Sequence, residues 1–149
     1  MLKLSKKADY ALVALSHLHR KGLAASAKEI AHSYELSSPM LANVLKSLAG
    51  AGFLTSTRGS QGGYCLSKKS KQISLGEVIA LFDGESAFSD CSSNDKDCIS
   101  AANCPTRRPM LVINKKIRDF MHGISLADLA GSADAIRFNS TFSIGRYHE

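Results

Sequence analysis

The chain reads as mainly α-helical, with one small β-hairpin and a long amphipathic helix after it. Three observations carry this reading. Apolar residues recur at three- and four-residue spacing in several stretches, each bracketed by helix-start and helix-stop residues. One pair of short runs rich in Thr and aromatics is joined by a glycine-dense connection. A further three-and-four pattern stands apart, after a long segment with no period.

From Ser5 to Arg20 the residues Ala8, Ala11, Leu12, Leu15 and Leu18 form a helical stripe, and Gly22 supplies the stop. Ser26-Ala27-Lys28-Glu29 fits a capping box, in which the Ser hydroxyl takes one free N–H and the Glu reaches back to another. The spacing predicts a short helix from there to about Ser33, with Tyr34-Glu35-Leu36 as a turn. Ser38 and Pro39 read as N-cap and first helical residue, opening a helix over 38–50 whose buried stripe is Leu41, Val44, Leu45 and Leu48. Gly50 and Gly52 end it. Phe53 to Arg58 and Tyr64 to Ser67 are the strand-like runs, joined through Gly59-Ser60-Gln61-Gly62-Gly63. A second capping box, Ser74-Leu75-Gly76-Glu77, starts a helix that ends near Asp83-Gly84. Residues 85–104 are dominated by Ser, Asp, Asn and Cys and read as an unusually long loop. After Pro105 and Pro109, the residues Met110, Ile113, Ile117, Phe120 and Ile124 form a heptad-like seam of about two heptads, too short to stand without a partner. Ser125-Leu126-Ala127-Asp128 caps one more short helix. Ile73-Ser74-Leu75 and Ile124-Ser125-Leu126 look alike because each opens a capped helix. The stretch from Gly131 is polar and weakly patterned, a flexible tail by expectation.

Charge divides this architecture. Residues 1–82 carry a net charge of +7, residues 83–104 carry −4, and residues 105–149 carry +3. Three of the four cysteines, Cys91, Cys98 and Cys104, fall in the acidic segment. No apolar run approaches the roughly 18 residues of a membrane span, and no signal-peptide core is present. A cytoplasmic protein with no membrane partner is the expectation. No Ser-His-Asp or paired-carboxylate arrangement stands out, so the expectation is a protein that is not an enzyme.

Helix, short helix, turn, helix and hairpin is the order of a winged helix-turn-helix. The expected fold is therefore mainly α with a small β-hairpin wing, a winged helix-turn-helix plus a long dimerisation helix. An α-helix fits the major groove, and a basic hairpin tip reaches the adjacent backbone or minor groove of double-stranded DNA. On this reading residues 38–50 are the recognition helix and offer Ser38, Met40, Asn43, Lys46 and Ser47. Asn43 is the base reader, because an amide bonds adenine bidentately, and Lys46 holds a phosphate. The wing offers Arg58 and Gln61 near its tip. Lys3, Lys6, Lys7, Lys28, Lys68, Lys69 and Lys71 supply sequence-independent attraction.

The cysteine intervals alone leave alternatives open. Cys91, Cys98 and Cys104 are separated by six and five residues, without the paired C-x2-C knuckles of zinc ribbons. Redox-active or unrelated thiols stand beside a metal or cluster site. Three thiolates in one acidic stretch repel one another unless a cation neutralises them, and soft iron centres do that. Cys65, on the second wing strand, reads as a small packing residue.

The stretches Leu36-Ser37-Ser38-Pro39-Met40-Leu41, Leu45 to Leu54, Arg58-Gly59-Ser60-Gln61-Gly62-Gly63-Tyr64-Cys65-Leu66 and Ile73 to Ile79 resemble the winged-helix regulators typified by IscR and NsrR. The opening Leu2-Lys3-Leu4-Ser5-Lys6 and Asp9-Tyr10-Ala11 fit as well, and the similarity spans about residues 1–130. The resemblance implies a homodimer joined through the long helix, and an iron–sulfur cluster (4Fe-4S or 2Fe-2S) on Cys91, Cys98 and Cys104. For the remaining ligand, IscR-type members place a His shortly after the third cysteine, where this chain has Arg107, which cannot ligate. NsrR-type members use an N-terminal Asp of the partner subunit, and Asp9 matches that position. Tyr10, Asp95, Asp97 and Asn103 are weaker candidates. Ala42 stands where IscR-like proteins carry an acidic residue that tunes operator choice.

The organisation that follows is a winged helix-turn-helix over 1–82, a cysteine-bearing loop over 83–105, a dimerisation helix with a short following helix over 106–130, and a tail over 131–149. The functional expectation is a DNA-binding transcriptional regulator sensing iron–sulfur status, nitric oxide or redox state through a cluster. The alternatives are a regulator of the same fold switched by thiol oxidation or a small molecule, and a zinc-binding interaction module.

Overall fold

Each of the first three helices begins where a residue in extended conformation meets a free turn of N–H groups. The computed structural model describes residues 3–59, 62–84 and 103–131. Helix α1 spans Lys6–Lys21: the Ser5 hydroxyl accepts from the Ala8 N–H at 3.1 Å, and Gly22, left-handed at φ 67°, closes it by donating to the Leu18 carbonyl. Helix α2 is Ala27–Ser33, with the Ser26 hydroxyl accepting from the Glu29 N–H at 3.1 Å. The Glu29 carboxylate pairs with Lys21 of α1, so the reciprocal half of the expected capping box is weak there. Helix α3 is Ser38–Gly50. Its N-cap is Ser37 rather than Ser38, no side chain caps it, and Pro39 lies in its first turn.

Strands β1 (Leu54–Thr57) and β2 (Gly63–Leu66) form one antiparallel hairpin, with Leu54 opposite Leu66 and Thr57 opposite Gly63. A 3₁₀ turn at Ser70–Gln72 leads to helix α4, Leu75–Asp83, whose Ser74–Glu77 capping box is complete. Helix α5 runs Arg107–Gly123, and helix α6, Leu126–Ala130, opens with a second complete box made by Ser125 and Asp128.

The core gathers around α1, which packs against α3, α4, α6 and β2. Three of the five buried residues of α1 are alanines (Ala8, Ala11, Ala14), so neighbouring helices approach closely. Leu15 and Leu18 of α1 join Ile30 of α2, the stripe Leu41, Val44, Leu45 and Leu48 of α3, and Ile73, Val78 and Leu126. The stripe expected for α3 is thus fully buried. Burial of a leucine side chain stabilises by about 1.5–3 kcal/mol, so these four residues orient α3 firmly and leave its other face outward.

The two similar capped-helix openings meet in space. Ser74 and Ser125 form an isolated antiparallel bridge; the Leu75 N–H donates to the Ile124 carbonyl and the Leu126 N–H to the Ile73 carbonyl, both at 2.8 Å. This short ladder ties α6 to the start of α4.

Candidate nucleic-acid interface and cysteine site

The outward face of α3 carries Ser38, Asn43, Lys46 and Ser47, all exposed. Among the described residues the Asn43 amide has no hydrogen-bond partner, so its donor and acceptor are both available. The Ser47 hydroxyl donates to the Asn43 backbone carbonyl at 3.1 Å, which leaves it as an acceptor toward a partner. Met40 is half-buried and borders a groove with Lys7, Pro39 and Phe82, so it presents less of itself than Asn43 does.

The wing is tied down at its base. β2 pairs on its far side with Ala25: the Ala25 N–H donates to the Tyr64 carbonyl at 3.0 Å and the Tyr64 N–H to the Ala25 carbonyl at 2.9 Å. This approach needs glycine at 63, where an added Cβ would stand 2.6 Å from the Ala25 carbonyl oxygen. Arg58 is exposed beside Gly59, whose φ of 122° starts the turn. Gln61 lies outside the described residues. Cys65 is half-buried on β2, its thiol 3.7 Å from the Thr55 carbonyl of the facing strand.

Of the three clustered cysteines, Cys104 alone is described; Cys91 and Cys98 lie outside the described residues. Cys104 is half-buried, three residues ahead of α5, with its Sγ 3.3 Å from the Thr106 Oγ1. That hydroxyl, the backbone N–H groups of Thr106 and Arg107 and the Arg107 charge hold the thiol below the ordinary cysteine range. A thiolate is the form that ligates metal, so the donor chemistry at this position fits a soft iron centre. Among the described residues, no group of three or more His, Cys, Asp and Glu side chains is placed to hold a metal ion.

Asp9 is exposed in the first turn of α1. Two contacts near it were not legible in the sequence. The Ser5 N–H at the start of α1 donates to the Asp83 carboxylate at 3.0 Å, fastening the end of α4 to α1. The Tyr10 hydroxyl accepts from the Ser37 N–H at 3.4 Å, at the N-cap of α3. Tyr10 therefore serves the start of α3. Asn103 is exposed, and Asp95 and Asp97 lie outside the described residues.

On α5, Met110, Ile117 and Phe120 are half-buried and Ile113 is exposed, whereas Ile124 follows the helix as its C-cap. The fully buried residue of this helix is polar, Asn114, while Val112 and Ile113 face outward at 55% and 39% exposure. Among the described residues no helix is long and apolar enough to cross a membrane.

A buried helical core, an outward-facing third helix and a glycine-turned hairpin beside it define a winged helix-turn-helix protein, the class that reads duplex DNA. Comparison with known proteins narrows the class. The Rrf2 family profile, described as "Iron-dependent Transcriptional regulator", matches residues 4–132. The chain is 27% identical over 146 residues to the HTH-type transcriptional regulator IscR of Vibrio parahaemolyticus, covering 97% of this chain and 86% of that one. It is 30% identical over 142 residues to the HTH-type transcriptional regulator NsrR of Bacillus licheniformis, covering 91% and 97%. The solved structure of CymR, the global cysteine regulator of B. subtilis, matches with a TM-score of 0.71 at 28% identity, covering 87% of this chain and 97% of that one. The chain belongs to the Rrf2 family of transcriptional regulators, whose members bind DNA and are not enzymes.

Proposed function

We propose that the protein is a cytoplasmic homodimeric repressor that senses iron–sulfur status, nitric oxide or redox state through a cluster held by Cys91, Cys98 and Cys104. The observation that carries this reading is Cys104: a half-buried thiol, favoured as thiolate by Thr106 and Arg107, at the junction between the acidic segment and α5. The family description supports iron as the partner, and the resemblance to IscR- and NsrR-type regulators implies a cluster. Asp9 of the partner subunit is the proposed fourth ligand. When bound, the cluster supplies a centre sensitive to oxidants and nitric oxide, in a 4Fe-4S or 2Fe-2S form.

The protein's own residues relay its state. Asp83 ends α4 at the edge of the cysteine-bearing segment and holds the Ser5 N–H at the start of α1; Tyr10, on α1, holds the Ser37 N–H. A change in the segment thus reaches the start of α3 through one rigid helix, a two-state coupling of sensor and reader. In the major groove Asn43 reads a base and Lys46 holds a phosphate, with Ser38, Met40 and Ser47 alongside, while Arg58 and Gln61 of the wing take the neighbouring backbone. The exposed Val112 and Ile113 on α5 support dimerisation through that helix, with Met110, Ile117, Phe120 and Ile124 completing the seam.

Anaerobic native mass spectrometry with visible absorbance tests the reading. The expected outcome is a coloured dimer containing iron and sulfide, with both lost together in Cys91→Ala, Cys98→Ala or Cys104→Ala. A colourless protein with stoichiometric zinc overturns it in favour of a zinc module. Asp9→Ala should shift the cluster spectrum or speed its loss; no change removes Asp9 as a ligand. The lowered Cys104 thiol also favours a second reading, a same-fold regulator switched by thiol oxidation. DNA binding that responds to peroxide in metal-free protein selects that reading.

A further inference from the structure

A cleft of about 370 Å³ lies between α4 and α5 and reaches the base of the wing. Its walls are largely apolar, with Phe53, Ile79, Ala80, Ile117 and Met121, and two cations, Lys68 and Arg118, border them. At its mouth the Lys68 ammonium stands 5.5 Å from the centre of the Phe53 ring. Lys68 has no salt bridge among the described residues. The acid of the cleft, Glu77, is held in the α4 capping box, where its carboxylate accepts from the Ser74 N–H and hydroxyl at 3.0 and 3.1 Å, and the charges of Lys68 and His122 reach it without a direct ion pair. His122 also lines the cleft, with its Nδ1 3.4 Å from the Ser74 hydroxyl. The volume falls in the range of roughly 300–1,000 Å³ typical of small-molecule sites, and such sites pair apolar walls with a few converging polar groups.

We propose that this cleft is a binding site for a small, mainly apolar molecule carrying one anionic group. The apolar part fills the space between Phe53, Ile79, Ala80 and Met121, and the anion meets the ammonium of Lys68. The cation makes the charge preference: a bound carboxylate gains a charge-assisted hydrogen bond that a neutral hydroxyl of similar shape makes only weakly. The position also matters. Ala51, which closes α3, and Phe53 and Lys68, which flank the wing, all border the cleft opposite α5. A ligand there touches the elements that present α3 and the wing, so it gives the regulator a second input that does not depend on the acidic cysteine segment.

The test uses the full chain in its native oligomeric state, with 2-naphthoate as probe and 2-naphthylmethanol as its neutral counterpart. The chain contains no tryptophan, so naphthalene fluorescence anisotropy is read with little protein background. Saturable binding of one naphthoate per chain is expected, about tenfold tighter than the alcohol. Lys68→Ala, at an exposed position, should weaken naphthoate several-fold toward the alcohol's affinity and leave the alcohol unchanged. Ala80→Phe, which fills the cleft, should abolish binding of both, with circular dichroism checking that it folds. Equal affinity for the two probes overturns the anionic preference. Binding unaltered in both variants places the probes elsewhere, and no binding to the wild-type protein shows that the cleft is not open in the assembled protein; either overturns the proposal.

Discussion

Asn43 and Lys46 sit three residues apart on one exposed face, yet the chemistry of their side chains separates the roles proposed for them. An amide offers a donor and an acceptor in a plane, which suits one base edge; an ammonium is a point charge that suits any phosphate. Asn43→Ala should therefore cost about 1–3 kcal/mol on the cognate site and little on unrelated DNA. Lys46→Ala and Arg58→Ala should weaken binding to all sequences alike, and each should reduce the slope of log affinity against log salt by about 1. Salt-titrated gel retardation measures both effects, and indifference to all three changes would overturn the docking described above. The outward face of α3 was legible because it is the complement of the stripe Leu41, Val44, Leu45 and Leu48, and that stripe is buried in full. The role of Tyr10 was not legible: its hydroxyl meets Ser37, 27 residues away, and no local pattern encodes such a meeting. Gly63 is similar. Its place in a glycine-rich turn was plain, but the reason it tolerates no side chain is the Ala25 backbone against it. Gly63→Ala should destabilise by about 1–3 kcal/mol, because backbone must move to admit the methyl, and urea unfolding measures this.

At the scale of elements, helix starts were the most readable features, because a cap is a contact between residues three apart. Both Ser74–Glu77 and Ser125–Asp128 form complete boxes. The exceptions have physical causes. The Ser26 box is weak in its reciprocal half since Lys21 competes for Glu29, and the α3 start shifts to Ser37 with the Tyr10 hydroxyl as its neighbour. The boxes carry a pH signature. Hydrogen bonds from Ser74, backbone first, hold the Glu77 carboxyl below its ordinary value of 4.5, and those from Ser125, side chain first, hold Asp128 below 3.8. A carboxyl depressed in the folded state contributes stability that is complete above its unfolded value and is lost as pH falls through the lower folded value. The thermal midpoint should thus show no loss from these groups between neutrality and about pH 5, and then decline through the acid range. Glu77→Gln and Asp128→Asn retain acceptors for the cap and should flatten part of that decline. An acid limb identical to wild type would show that the boxes do not contribute to it.

At the scale of the whole molecule, α5 is unusual in burying Asn114 while Val112 and Ile113 stand exposed. That distribution supports the proposed dimer, in which a second copy covers the apolar residues. Ile113→Glu should shift the monomer–dimer equilibrium toward monomer by about tenfold or more, since a carboxylate would have to be desolvated in the seam. Sedimentation equilibrium reads this directly, and an unaltered dimer would place the interface elsewhere. The relay through α1 is testable at the same scale. Tyr10→Phe should leave the metal-bound spectrum intact yet narrow the difference in DNA affinity between the metal-loaded and metal-free protein. An unchanged difference would dismiss Tyr10 as a relay.

The chain by itself determined the order of elements, the buried stripe of α3, the position of the wing and the placement of basic and cysteine-bearing segments. These features rest on periodicity, caps and turns, interactions within a few residues of one another, which a linear pattern records. Tertiary structure decided the rest: that the look-alike segments Ile73-Ser74-Leu75 and Ile124-Ser125-Leu126 hydrogen-bond to each other, that the end of α4 and the start of α3 fasten to α1 through Asp83 and Tyr10, and that α4 and α5 border a cleft that reaches the base of the wing. These are meetings across tens of residues. They depend on how the helices stack around the alanine-lined face of α1, and that stacking is settled only when the whole core packs at once.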